Sequence, residues 1–84
     1  MKYREFNLDL SRMLKEGIRE QGLSVTQLSA ILGFSESRLL EITENPMLAS
    51  GCDFGAVVMH LNLVNEFYEA LFREMARDRT LTWH

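Results

Sequence analysis

Few residues of this chain have the type and spacing that catalysis or metal binding requires. Cys52 is the one cysteine, which excludes a disulfide framework and a zinc site built from cysteines. His60 has no neighbour in the sequence that would complete a metal site or a catalytic pair, and no serine has an adjacent base to activate it. We therefore predict no catalytic residue, no metal site and no cofactor, and we do not expect an enzyme.

The charged residues are unevenly distributed along the 84 residues, whose net charge is −3. Residues 1–19 contain the basic groups Lys2, Arg4, Arg12, Lys15 and Arg19. Residues 20–72 contain a single basic group, Arg38, among seven acidic ones. Phosphate is repelled by an acidic surface, so any nucleic-acid contact is expected to use the first helix and the C-terminal residues.

The length and composition limit the class of protein. Hydrophobic residues make up 46% and charged residues 25% of the chain, which is typical of one globular domain, here residues 1–84. No apolar run is long enough to span a membrane, and no apolar signal-peptide core lies near Met1. We therefore expect a cytoplasmic protein without a membrane partner.

Helical periodicity of the apolar residues predicts an all-α chain of five helices. The predicted helices cover residues 7–21, 24–32, 35–44, 54–61 and 64–77. Asn7 is the expected cap of the first helix, with Asp9 in its first turn, and Asp53 is the expected cap of the fourth. Residues 47–52 read as a loop, and residues 80–84 as a frayed tail or a short strand. Gly17 indicates a close approach of another helix.

The second and third helices have the clearest start and stop signals. Ser24 and Gln27 fit a capping box, Gly33 ends the second helix, Ser35 caps the third, and Pro46 prevents its continuation. Only two residues lie between these helices, a length that sets two helices at a steep angle. A helix presented in this way fits the major groove of B-DNA.

The segment of residues 22–42, GLSVTQLSAILGFSESRLLEI, resembles the helix-turn-helix of the lambda-repressor/Cro-like (XRE) family. The residues that match the family pattern are Leu28, Ser29, Leu32, Gly33, Phe34, Ser35, Leu39 and Ile42. The resemblance extends over about residues 10–72, with a helix-turn-helix core at 24–44. It implies a compact five-helix bundle and a sequence-specific DNA-binding regulator, expected to be a homodimeric repressor on a palindromic operator.

The resemblance also implies which residues contact DNA. The base-facing positions are Ser35, Glu36, Ser37 and Glu41, and Arg38 lies at the helix edge near phosphate. The remaining expected contacts are Ser24, Thr26 and Gln27, at the start of the second helix, and Arg19. Arg12 and Lys15 lie at helical spacing with Arg19 and share this expectation, although all these charges also fit an ordinary solvated surface. Ile18 and Thr43 occupy two positions at which the family often has an Arg–Glu pair, which indicates apolar packing instead.

The last predicted helix has more apolar residues than one buried face needs. We expect the surplus, with the C-terminal tryptophan, to form a dimer interface, although a core role accounts for much of the same pattern. The expected interface residues are Val64, Phe67, Tyr68, Leu71, Phe72, Met75 and Trp83.

Two alternative functions fit the same sequence. The chain could be the antitoxin of a toxin–antitoxin pair, a role in which residues 77–84 would hold the toxin and the helix-turn-helix would bind the chain's own promoter. It could also be a helix-turn-helix scaffold that binds protein rather than DNA, which the acidic middle of the chain favours.

Overall fold

The computed structural model describes the backbone of residues 3–82 and the side chains of residues 3–77. Five α-helices and one 3-10 turn account for nearly all of residues 3–82, which include no strand. The helices are α1 (Arg4–Glu20), α2 (Val25–Leu32), α3 (Glu36–Glu44), α4 (Gly51–His60) and α5 (Val64–Thr82), and the 3-10 turn is Pro46–Leu48. The all-α class is therefore confirmed. None of these helices combines the length and the apolar composition that a membrane span needs.

Local signals place α2 and α3 where the sequence predicts them. The Ser24 hydroxyl accepts from the Gln27 amide at 3.1 Å, and the Gln27 side chain accepts from the Ser24 amide at 2.9 Å. Gly33 ends α2 at φ +74°, a left-handed conformation that glycine adopts without steric cost. The Ser35 hydroxyl accepts from the Arg38 amide and caps α3. The predicted capping box is therefore confirmed. The predicted starts and ends of α2 and α3 are confirmed as well.

The predicted start of α1 is wrong. The helix begins at Arg4, and Asn7 lies inside it, where its Oδ1 accepts from the Met47 amide at 3.0 Å. Asp9 therefore lies beyond the first turn. The earlier start buries Phe6 in the core, and burial of an aromatic side chain outweighs a capping preference of about 1 kcal/mol.

The predicted start of α4 and the predicted C-terminal tail are also wrong. Ser50 rather than Asp53 caps α4, and its hydroxyl accepts from the Asp53 amide at 3.1 Å. The loop predicted at 47–52 includes part of the 3-10 turn. Helix α5 continues to Thr82 in place of a strand or frayed tail at 80–82, while Trp83 and His84 lie outside the described residues.

The core lies where α1 packs against α3 and α5, α2 against α3, and α4 against α5. Its fully enclosed side chains are Leu14, Leu28, Leu39 and Val57. A Cβ on Gly17 would lie 2.8 Å from a methyl carbon of Leu63, so the close approach there is made by the α4–α5 turn. Ile18 and Thr43 are both buried, in agreement with the expected apolar packing.

An ion-pair network fixes α5 against α1. The Asp9 carboxylate lies 3.2 Å from an Arg77 nitrogen and 3.5 Å from an Arg73 nitrogen. Arg77 also contacts Glu74 at 2.7 Å, and this hydrogen bond is the main reason why the pKa of Arg77 is raised above its ordinary value. The network thereby orients the face that α5 presents to solvent.

Replacing Asp9 with alanine is expected to lower the free energy of unfolding by about 1–2 kcal/mol. The Asp9 side chain is only 16% exposed, and its removal leaves Arg12, Arg73 and Arg77 without this carboxylate. Urea denaturation of the variant measures the change. Glu16→Ala is the control, since Glu16 is exposed and makes no ion pair within residues 3–77. Equal losses in the two variants would contradict a role of the network in stability.

Candidate nucleic-acid interface

Helix α3 has one buried face and one exposed face. Leu39, Ile42 and Thr43 face the core, because their spacing places them on one side of the helix. Each of the predicted base-facing residues Ser35, Glu36, Ser37 and Glu41 is exposed. The surface formed by the exposed residues of α3 is called the α3 face below, and its members within the helix are Glu36, Ser37, Arg38, Leu40, Glu41 and Glu44.

The first turns of α2 and α3 meet at this surface. The Thr26 hydroxyl donates a hydrogen bond to the Glu36 carboxylate. Ser24 and Gln27 are exposed beside Thr26 and are joined to one another by the capping box. The fold therefore brings the expected contact residues at the start of α2 next to those at the start of α3.

Arg38 is held by two neighbours. Its Nε donates to Asp53 at 3.0 Å and its Nη2 donates to the second oxygen of the same carboxylate, a paired geometry that is typical of strong arginine–carboxylate contacts. Its guanidinium also lies 4.5 Å from the centroid of the Phe34 ring. The side chain stays 50% exposed, so Arg38 is accessible, but the adjacent carboxylate offsets its charge.

The basic residues of α1 lie on its exposed side. Lys15 contacts Glu44 at 2.9 Å and so connects this side to the end of α3. Arg12 lies 3.9 Å from Asp9. Arg4 and Arg19 are exposed and make no ion pair within residues 3–77. Arg12, Lys15 and Arg19 therefore form a row of accessible cations on α1, and Lys15 places this row beside the α3 face.

The predicted interface residues of α5 divide into two groups. Val64, Phe67 and Leu71 are half-buried and pack against the core. Tyr68, Phe72 and Met75 are 50%, 63% and 51% exposed, and the Tyr68 and Phe72 rings stack with centroids 6.4 Å apart. These three residues are called the α5 stripe below. Trp83, the remaining predicted member of the interface, lies outside the described residues.

Two residues at or beside the α3 face, Asp53 and Leu40, are not predicted as functional from the sequence. Asp53 is taken there for a cap, and nothing in a one-dimensional pattern pairs it with a residue fifteen positions earlier. Leu40 has no role in the sequence prediction, and the structure shows that it is 47% exposed. A helical projection that places Leu40 on the side of Ser37 and Glu41 is the signal that separates it from the core.

Cys52 and His60 are the remaining residues that the sequence analysis considers for chemistry. Both residues are exposed. Within the part of the chain that the structure describes, no group of three or more His, Cys, Asp or Glu side chains is arranged to hold a metal ion.

Comparisons with protein-family models, with curated proteins and with solved structures found no match to this chain.

Proposed function

We propose that the chain is a DNA-binding regulator of the lambda-repressor/Cro-like helix-turn-helix class. In this proposal α2 and α3 form the motif, and α3 enters the major groove with its N-terminal residues toward the bases. The observation that carries the proposal is the exposure of Ser35, Glu36, Ser37 and Glu41 on a helix whose opposite side is buried in the core. Occupancy of a promoter by such a domain is sufficient for repression.

The phosphate contacts in this proposal come from Arg12, Lys15 and Arg19, with Arg38 at the helix edge. Each phosphate that the protein neutralises lowers the slope of the logarithm of the association constant against the logarithm of the salt concentration by about 0.9. Three or four contacts per protomer on a half-site give a slope of about −3 to −4 per half-site. The affinity is therefore expected to be modest and to fall as salt rises.

Selection of bound sequences from a random DNA library tests the proposal directly. The expected result is an enriched sequence with two-fold symmetry and half-sites about one helical turn apart. Absence of enrichment at 50 mM salt, a condition that favours even non-specific contacts, would count against DNA binding.

A second prediction uses the pairing of Arg38 with Asp53. Replacing Asp53 with asparagine removes a negative charge beside the α3 face and leaves Arg38 available for phosphate. We expect duplex affinity to rise several-fold in Asp53→Asn, and Arg38→Ala to lower it by about 1–3 kcal/mol. Fluorescence anisotropy with the selected duplex measures both changes.

The double variant that combines Arg38→Ala with Asp53→Asn is the control for this prediction. If Arg38 contacts DNA, Asp53→Asn gains much less affinity when Arg38 is already alanine. An equal increase in duplex affinity on Asp53→Asn in the wild type and in Arg38→Ala would show that Asp53 acts through its own charge. That result would contradict a DNA contact by Arg38.

The proposed regulator acts as a homodimer through the α5 stripe. Large aromatic side chains that are half exposed and adjacent on one helix are typical of association surfaces. A two-fold dimer would pair this stripe with itself and would match the symmetry of a palindromic operator.

Recognition of a protein partner is the second candidate function. The observation that favours it is the charge of the α3 face, where Glu36, Glu41 and Glu44 are exposed while Arg38 is paired with Asp53. A basic partner segment would complement this surface, as the scaffold hypothesis requires. The antitoxin hypothesis instead assigns its protein partner to residues 77–84 and keeps promoter binding by the helix-turn-helix. Failure of both the wild type and Asp53→Asn to bind DNA at 50 mM salt would favour this candidate. A neighbouring gene whose product is lethal when expressed alone would favour the antitoxin.

A further inference from the structure

We infer that the α3 face reads a pyrimidine step in the major groove. In this inference Glu41 accepts a hydrogen bond from the N4 amino group of a cytosine, and Leu40 contacts the C5-methyl group of a neighbouring thymine on the same strand. The inference rests on the proposed DNA-binding function and specifies which bases that function recognises.

The first observation is the position of Leu40. Its side chain is 47% exposed in the middle of α3, one residue after the fully enclosed Leu39. The other members of the α3 face are polar or charged, so Leu40 is the one apolar side chain of this face. In the major groove the apolar feature that distinguishes a natural base pair is the methyl group of thymine, which aliphatic side chains contact.

The second observation is that the α3 face is rich in acceptors and poor in donors. Glu36 already accepts from Thr26, and two nitrogens of Arg38 already donate to Asp53. The Glu41 side chain makes no hydrogen bond or ion pair within residues 3–77, so its carboxylate is available as an acceptor. Guanine presents only the acceptors N7 and O6 in the major groove and therefore does not complement this carboxylate.

The choice between cytosine and adenine follows from the same chemistry. Adenine presents its N6 amino donor beside the N7 acceptor, whose lone pair repels a carboxylate. Cytosine presents its N4 amino donor beside a C–H group, so a carboxylate meets a donor without a neighbouring acceptor. Leu40 and Glu41 are consecutive residues of one helix, and we assign them to consecutive bases of one strand.

Uracil substitution tests the assignment of Leu40. Each thymine of the selected half-site is replaced singly by uracil, which removes only the methyl group. We expect one replacement to weaken wild-type binding about three- to tenfold, as loss of one buried methyl contact implies. In Leu40→Ala the same replacement is expected to have no effect. Met59→Ala, which truncates a 69% exposed residue of α4, is the control and should keep the wild-type sensitivity.

Glutamine substitution tests the assignment of Glu41. A glutamine side chain both donates and accepts, which suits the N6 and N7 atoms of adenine. We expect Glu41→Gln to change the preferred base at one position from cytosine to adenine by about tenfold or more. Glu66→Gln is the control, because Glu66 is an exposed glutamate of α5 that belongs neither to the α3 face nor to the α5 stripe, and it should keep the cytosine preference.

The outcomes separate this inference from the proposed function. An enriched site that is insensitive to thymine-to-uracil replacement, or that keeps its cytosine in the Glu41→Gln variant, would overturn the inference and leave DNA binding in place. An enriched site with guanine at the position that responds to Glu41 would do the same. No enriched site at all would overturn both.

Discussion

Replacing Leu39 with alanine is expected to lower the free energy of unfolding by about 2–5 kcal/mol. The side chain is fully enclosed, and its truncation leaves a cavity on the side of α3 that packs in the core. In a chain of this size such a loss lowers Tm by at least about 8 °C. Thermal unfolding followed by circular dichroism at one fixed protein concentration measures it, since association would otherwise shift Tm.

Leu40→Ala is the matched control, because it makes the same truncation at the next residue of the same helix. Leu40 is 47% exposed, so its truncation is expected to change stability by no more than about 0.5 kcal/mol. The contrast tests the orientation of α3, on which every statement about the α3 face depends. Similar losses in the two variants would mean that α3 is rotated relative to the core.

Replacing Phe72 with glutamate is expected to convert the proposed homodimer into monomers. A carboxylate buried at an aromatic interface position costs about 2–4 kcal/mol or more, which raises the dissociation constant about 30- to 1,000-fold. Sedimentation velocity over a range of protein concentrations measures the change. Phe72 is preferable to Leu71 for this test, because Leu71 also packs against the core and its replacement would alter the fold.

Met59→Glu is the control for the dimer prediction. It introduces the same charge in place of another exposed apolar residue, which is 69% exposed on α4 rather than α5. The Met59 variant should remain a dimer and the Phe72 variant should not. A dimer that survives Phe72→Glu would place the interface elsewhere, and the expected two-fold symmetry of the DNA site would then need another explanation.

Features that depend on neighbouring residues could be predicted from the sequence. The capping box of Ser24 and Gln27 and the left-handed Gly33 involve groups within a few positions of each other. Their geometry follows from local backbone conformation and local hydrogen bonds, which tertiary packing does not oppose here. The start of α1 was not predictable in this way, because burial of Phe6 took precedence over the local preference of Asn7. The start of α4 is set by a local cap as well, but that cap is Ser50, three residues before the predicted Asp53.

By itself, the sequence determined the all-α class, the α2–turn–α3 segment and the outward position of Ser35, Glu36, Ser37 and Glu41, because helical periodicity and caps are encoded within short stretches of chain. Only the tertiary structure decided what those residues touch. It pairs Arg38 with Asp53, exposes Leu40 beside Glu41, and separates the α5 stripe from the half-buried residues of the same helix. The physical reason is that these outcomes depend on how helices pack, and packing joins residues that no local pattern connects.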